Sequence, residues 1–221
     1  PFVMEALWTS VRVAFLSAML ATAVGTAAAL ALTGMRGRLR TTFDLLVQIA
    51  VMIPGIVMGI ATLIALVSVF DLVNPWLEPM TGWQLSLGTG SLIGAHGLFT
   101  MSLVVLLVRG RMETLDGALI EASNDLGATP LGTFRQVTLP QILPAVLAGF
   151  LLAFTFSFDD FVIAFFVAGA ETTLPIYVFS SIRSGVTPEI NAIGTMVMVA
   201  SLTLLIIAQL VLWRSQAKAR G

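Results

Sequence analysis

Residues 45–70 read LLVQIAVMIPGIVMGIATLIALVSVF, 26 consecutive positions from Leu45 to Phe70 without one charged side chain. A helix needs about 20 mostly apolar residues to cross a hydrocarbon core of about 30 Å, so this stretch is long enough to span a membrane. Similar runs flank it. Val13–Met35 carries no charge, Thr89–Val108 contains only His96 as an ionisable group, and Ala192–Trp213 is uncharged. The remaining run, Ile142–Phe158, is shorter at 17 residues, and Asp159 and Asp160 interrupt it before Phe161–Ala168 resumes the apolar pattern. The sequence therefore predicts an all-α, polytopic transmembrane helix bundle with five spans, occupying residues 1–221 as one domain. In this reading one helix runs past the acidic pair, and irregular or re-entrant structure follows to about Asn191.

Composition agrees. Of 221 residues 57% are hydrophobic and 10% charged, against about 45–50% and 25% in soluble domains. The chain has no cysteine, so it holds neither a disulfide nor a thiolate metal site. It has no Gly-x-x-x-x-Gly-Lys-Ser/Thr loop to cradle phosphates, no His-Glu-x-x-His metal helix and no Gly-x-Ser-x-Gly elbow. His96, the one histidine, is left with a structural or pathway role, and no basic stretch interleaved with aromatics points to nucleic acid. The expectation is a chain with no catalytic residues, metal or cofactor of its own.

Charge placement orients the spans. Arg36, Arg38 and Arg40 follow the first, Arg109, Arg111 and Arg135 lie between the third and fourth, and Arg214, Lys218 and Arg220 follow the fifth. With five spans these segments share one side, which the excess of arginine and lysine makes cytoplasmic, with Pro1 outside. The opposite side holds Arg12 and Arg183, and its loop from Asp71 to Gly88 carries Trp76 and Trp83, rings suited to a membrane interface. Small residues four apart, in Ala21, Gly25 and Ala29, in Gly55 and Gly59, and in Gly90 and Gly94, predict close helix packing. Pro54 and Gly55 predict a kink in the second span.

The segment 113–140 is patterned differently. Leu115, Leu119, Ala122 and Leu126 form one apolar face, with Glu113, Asp116, Asn124 and Asp125 on others, as in an amphipathic helix. Gly127 stands where helices end in left-handed geometry, and Thr129-Pro130 has the chemistry of an N-cap and first helical position. A second short helix is expected to about Val137, stopped by Pro140 and Pro144. Pattern alone allows either a hairpin on the membrane surface or a docking site for a partner protein.

Glu121-Ala122-Ser123, three residues, Gly127, nine residues, then Val137, Thr138, Leu139 and Pro140 resemble the signature loop of binding-protein-dependent ABC importer permeases. Ser123 stands where the family has a second Ala and Val137 where it has Ile. The resemblance implies that this loop, at about 109–140, docks on a cytoplasmic ATPase, with Glu121, Ala122, Ser123, Gly127, Leu139 and Pro140 as coupling residues. It implies ATP and Mg on that ATPase rather than on this chain. It further implies a second permease subunit, two ATPase subunits, an external solute-binding protein and a bacterial inner membrane location with a cytoplasmic C-terminus. The family core has six spans, so five spans imply that its first helix lies outside this sequence.

Phe156-Ser157-Phe158-Asp159-Asp160-Phe161, with Phe166, Gly169, Leu174-Pro175, Ser184-Gly185-Val186, Pro188-Glu189 and Asn191-Ala192, resembles the second permease subunit of spermidine and putrescine importers. Polyamine import by alternating access is the expected function. The residues themselves are compatible with it. A carboxylate within a span costs about 2.5–3.5 kcal/mol and usually faces a pathway or a partner. Asp159 and Asp160 can pair with amines, and the rings of Phe154, Phe158, Phe161 and Phe165 can offer cation–π contacts, although their spacing also fits a packing stripe. On a continuous helix Asp160 shares a face with Gly149, Ala153, Ser157, Ala164 and Ala168, whereas Asp159 lies among bulkier residues. Asp160 is thus expected as the main cation contact and Asp159 as a secondary one, with Phe158 and Phe161 beside them. The alternatives are a sister permease for another small solute and, from another class, a secondary transporter or channel.

Overall fold

The computed structural model describes residues 2–185 and 188–218; Pro1, Val186 and Arg220 lie outside the described residues. All the regular structure among them is helical. Among the described residues five helical stretches have the length and apolarity to cross a membrane: Phe2–Gly34, Gly55–Thr81, Thr89–Met112, Pro130–Asp159 and Asn191–Leu210. The chain is a multi-pass membrane protein, as the apolar runs require.

The core is built from α1 (Phe2–Gly34), α4 (Thr89–Met112) and α7 (Leu139–Asp159). Its small residues do what their spacing predicts. Ala18, Ala21 and Ala29 are buried against Val104, Val105 and Val108, and a Cβ on Gly25 would fall 2.9 Å from that of Val104. Such close approach lets dispersion hold helices together where lipid supplies no hydrophobic drive. Gly59 meets Phe166 of α8 (Val162–Val167) in the same way. Gly90 and Gly94 do not, since no neighbour lies within 4 Å of a Cβ placed on either. Their spacing is that of a packing pair, but this face of α4 meets no other helix among the described residues.

The second apolar run is not one helix. It divides at Ile53-Pro54 into α2 (Gly37–Met52) and α3 (Gly55–Thr81), with Ile53 and Pro54 extended at ψ 130° and 136°. Proline disfavours helical geometry in the residue before it, so the expected kink becomes a break. At the far end α3 continues through Pro75 and Pro79, where a loop was expected. Carbonyls freed by proline near a helix end can find water at the interface. Gly82 then closes α3 at φ +67°, and the Asn74 side chain exchanges two hydrogen bonds with Leu85, at 2.8 and 3.0 Å, pinning the return segment.

The fourth span also departs from expectation at both ends. Neither Pro140 nor Pro144 stops a preceding helix, and Pro144 lies inside α7. α6 (Pro130–Thr133) passes through a π-helical segment, Phe134–Thr138, directly into α7. Pro140 falls in the first turn of α7, where a missing N–H costs little, and the wider π turn is bridged by the Leu139 N–H donating to Phe134 O. At the other end the helix stops at Asp159 instead of running past the acidic pair. α8 follows, and α9 (Leu174–Ser184) occupies much of the stretch expected to be irregular. The last helix, α10 (Pro188–Lys218), packs on α7 and α9.

Candidate functional site

Two regions carry the chemistry that the sequence singled out. The first is the segment between α4 and α7. α5 (Gly117–Asp125) begins at Asp116, whose carboxylate accepts the Ala118 N–H at 2.9 Å. The expected helix is thus shortened, and Leu115 lies before it, packed on the core. None of the α5 residues is buried. Leu119 and Leu126, on its apolar face, are 48% and 89% exposed. An apolar helix face without a cover in its own chain is a surface made for something else.

The turn after α5 is fixed by local chemistry. Gly127 adopts φ +78°, a conformation that costs glycine nothing. The Gly127 N–H donates to Asn124 O at 2.9 Å and the Ala128 N–H to Ser123 O at 3.1 Å. Thr129 caps α6 by accepting the Gly132 N–H at 3.2 Å. Ser123, the departure from the family pattern, places Oγ 2.9 Å from Thr133 Oγ1, a hydroxyl pair joining the two arms of the hairpin. Glu121, Ala122 and Pro140 are exposed and Leu139 is partly buried. The structure therefore brings Ser123, Gly127 and the capped start of α6 into one hydrogen-bonded turn.

Beside it, Arg109 binds Asp44 of α2 and Glu113, the latter at 3.0 Å. Arg40 lies 3.8 Å from Glu113 and 4.0 Å from Asp44. Charges that count in the sequence only as a topological signal thus also tie α2 to the end of α4.

The second region is the break between α7 and α8. Asp160 is extended at ψ 118°, and its Oδ2 accepts the Ala164 N–H at 3.0 Å, occupying a first-turn donor of α8 from the position before its N-cap, Phe161. The extended backbone at Asp160 ends α7 there. Asp160 and Ala164 are joined by that bond rather than by the continuous small-residue stripe expected from helical periodicity. The same Oδ2 lies 3.3 Å from Nε2 of His96 on α4. His96 is 2% exposed, and its Nδ1 is 2.7 Å from Oγ of Ser157.

Asp159 faces another way. Its Oδ1 accepts the Ser201 hydroxyl of α10 at 2.7 Å. With Ser201 it lines a cavity of about 480 Å³ between α9 and α10, whose remaining walls are apolar groups such as Leu174, Val178, Val197 and Met198. The phenylalanines split into two groups. Phe158 is buried with Ala14 and Leu174 and stacks on Phe154 at 5.9 Å. Phe161 lies 5.5 Å from Phe165 and 4.5 Å from Phe179 of α9. Ser201 and Phe179 escape sequence reasoning because one hydroxyl or one ring in an apolar helix carries no local signal. The polar contacts of His96 likewise come from residues 61 and 64 positions away.

Residues 11–219 match the family described as "Binding-protein-dependent transport system inner membrane component". The putrescine transport system permease protein PotI of Escherichia coli K12 is 39% identical over 198 residues, 88% of this chain and 67% of that protein. The spermidine/putrescine transport system permease protein PotC of Haemophilus influenzae is 38% identical over 203 residues, 91% of this chain and 74% of that protein. Among solved structures, a bacterial ABC transporter involved in the import of alginate aligns with TM-score 0.71 at 14% identity, covering 97% of this chain and 79% of that one. The MetNI methionine ABC transporter aligns at 0.65 with 18% identity, covering 99% and 94%. With nearly its whole length matched by the family and its fold shared with these transporters, the chain belongs to the inner membrane components of binding-protein-dependent transport systems.

Proposed function

We propose that this chain is the permease subunit of an ATP-driven importer that carries polyamines, putrescine or spermidine, across a bacterial inner membrane by alternating access. The observation that carries the reading is the likeness, over 88% of the chain, to a putrescine permease. The acidic pair at the α7–α8 break supports it, because a carboxylate within a span calls for a partner and a cationic amine is one. Asp160 is the main cation contact in this reading and Asp159 the secondary one, with Phe161 offering a ring face; Phe158, buried on Phe154, lends shape rather than a face.

The exposed turn around Glu121, Ala122, Ser123 and Gly127 docks on a cytoplasmic ATPase, with Leu139 and Pro140 carrying its movement into α7. The unbroken passage from α6 through the π segment into α7 supports this role. A rigid lever transmits ATPase closure as a body movement without a chemical step on this chain. The complete assembly has a second permease subunit, two ATPase subunits holding ATP and Mg, and an external solute-binding protein. The C-terminus is cytoplasmic.

Uptake of labelled putrescine and spermidine by cells carrying the complete transporter tests the reading. Uptake that depends on the ATPase and is competed by amines supports it. Uptake of a different solute class, or uptake without the ATPase, favours in turn a sister permease or a channel.

A further inference from the structure

His96 is unusual among the polar groups of the bundle, being an imidazole held between two other polar side chains in a helix core. Ser157 of α7 approaches its Nδ1 at 2.7 Å and the Asp160 carboxylate approaches its Nε2 at 3.3 Å. A hydroxyl can donate or accept, whereas an ionised carboxylate can only accept. The tautomer that satisfies both neighbours carries its proton on Nε2, so the Ser157 O–H donates to Nδ1 and the Nε2–H faces Asp160. This serine fixes the ring much as an outer partner fixes a metal-binding histidine.

The Nε2 end is incomplete. Although 3.3 Å from Oδ2, Nε2 lacks an aligned hydrogen bond and is buried from water, a costly state for a donor. A small shift of the α7–α8 break would close the bond. Asp160 Oδ2 already takes the Ala164 N–H, while Oδ1 has no hydrogen-bond partner among the described residues. One oxygen is therefore held by the protein, and the other is left over. Ala164 of α8 supplies that hold, and His96 of α4, which does not adjoin α8 in sequence, stands 3.3 Å from the same oxygen.

We propose that His96 is a positioning residue of the transport pathway, holding Oδ2 of Asp160 at the α7–α8 break so that Oδ1 remains available to a cationic amine. The inference rests on the reading of Asp160 as the solute contact. His96 does not itself touch the amine. It sets where the carboxylate stands, and Ser157 sets which way the ring is protonated.

Two substitutions separate this role from simple packing. His96→Gln places an amide N–H near the position of Nε2 and preserves the donor to Asp160. His96→Asn keeps a polar group near Nδ1, facing Ser157, but cannot reach Asp160. The assay is uptake of labelled putrescine by cells carrying the complete transporter, at equal membrane abundance and equal ATPase association. Asp160→Asn is expected to lower uptake by about ten-fold or more, the scale of one lost charge-assisted contact. His96→Asn is expected to lower it by about the same factor, and His96→Gln to remain within about three-fold of wild type. The double variant His96→Asn with Asp160→Asn should be no worse than either single change, because both act through one carboxylate.

Normal uptake by His96→Asn beside a large loss in Asp160→Asn would overturn this inference alone. So would additive losses in the double variant, or loss in His96→Gln with uptake retained in His96→Asn. Normal uptake by Asp160→Asn, or none by wild type, would overturn the underlying reading of the solute site and this inference with it. If a His96 variant fails to accumulate, Ser157→Ala takes its place. It removes the group that fixes the tautomer and should lower uptake several-fold, and wild-type uptake by that variant would overturn the proposal.

Discussion

Asp159 and Ser201 are joined by a 2.7 Å hydrogen bond from the serine hydroxyl to the carboxylate, across from the end of α7 to the interior of α10. Its neighbour Asp160 turns instead to Ala164 and His96. Two adjacent carboxylates thus have different partners. An amide at Asp159 can still accept the Ser201 hydroxyl, so Asp159→Asn should lower putrescine uptake by no more than about three-fold, against about ten-fold or more for Asp160→Asn. Initial uptake rates at equal abundance decide the order, and a larger loss at Asp159 reverses the assignment of the two roles.

Gly169 has φ +59°, and a Cβ there would lie 2.5 Å from the carbonyl oxygen of Leu87. Neither the backbone geometry nor the space admits a side chain. Gly169→Ala should destabilise this end of the bundle by about 1–3 kcal/mol, seen as a lower melting temperature of the purified transporter. An unchanged melting point would show that the segment between α8 and α9 yields easily.

The turn at Gly127 makes a similar demand at the other end. Gly127→Pro cannot adopt φ +78° and removes the N–H that donates to Asn124, so it should distort the hairpin while leaving the spans inserted. Glu121→Lys reverses a charge on the exposed face. Both should weaken capture of the ATPase and lower uptake by about ten-fold or more, because opposing a docking charge costs a few kcal/mol. Wild-type ATPase capture and uptake in both variants would remove the coupling role from this loop.

Orientation is checked by reporters. One fused after Arg220 should read cytoplasmic and one inserted near Met80 external, as the placement of arginines requires. Met80 is a suitable site because it is 85% exposed at the end of α3. The opposite readout would invert every assignment of side made from the charges.

The spans were legible in the sequence because a lipid environment leaves the backbone one economical solution. Every N–H and C=O must bond within the segment, so a long uncharged run becomes helical, broken in the second run only where Pro54 separates α2 from α3. The Ala21, Gly25 and Ala29 stripe was legible for a related reason, since only small residues allow α1 to approach Val104 so closely. The turn at Gly127, Thr129 and Pro130 was legible because its interactions are local, a left-handed glycine and a cap within three residues.

What the sequence could not give is where those rules meet a distant partner. Helical periodicity carried α7 past Asp159 because nothing nearby forbids it; in the folded chain Asp160 turns extended, takes the Ala164 N–H and faces His96, 64 positions earlier. Asp159 found Ser201, 42 positions later, only when α10 packed on α7. Gly90 and Gly94 carried the spacing of a packing pair without meeting a neighbour. Composition determined that this chain crosses a membrane, since burial in lipid acts on each segment separately, but the second crossing helix is Gly55–Thr81 rather than Leu45–Phe70. Tertiary structure decided which polar groups meet, because a carboxylate in an apolar bundle is held by whichever donor the packing of other helices brings within about 3 Å.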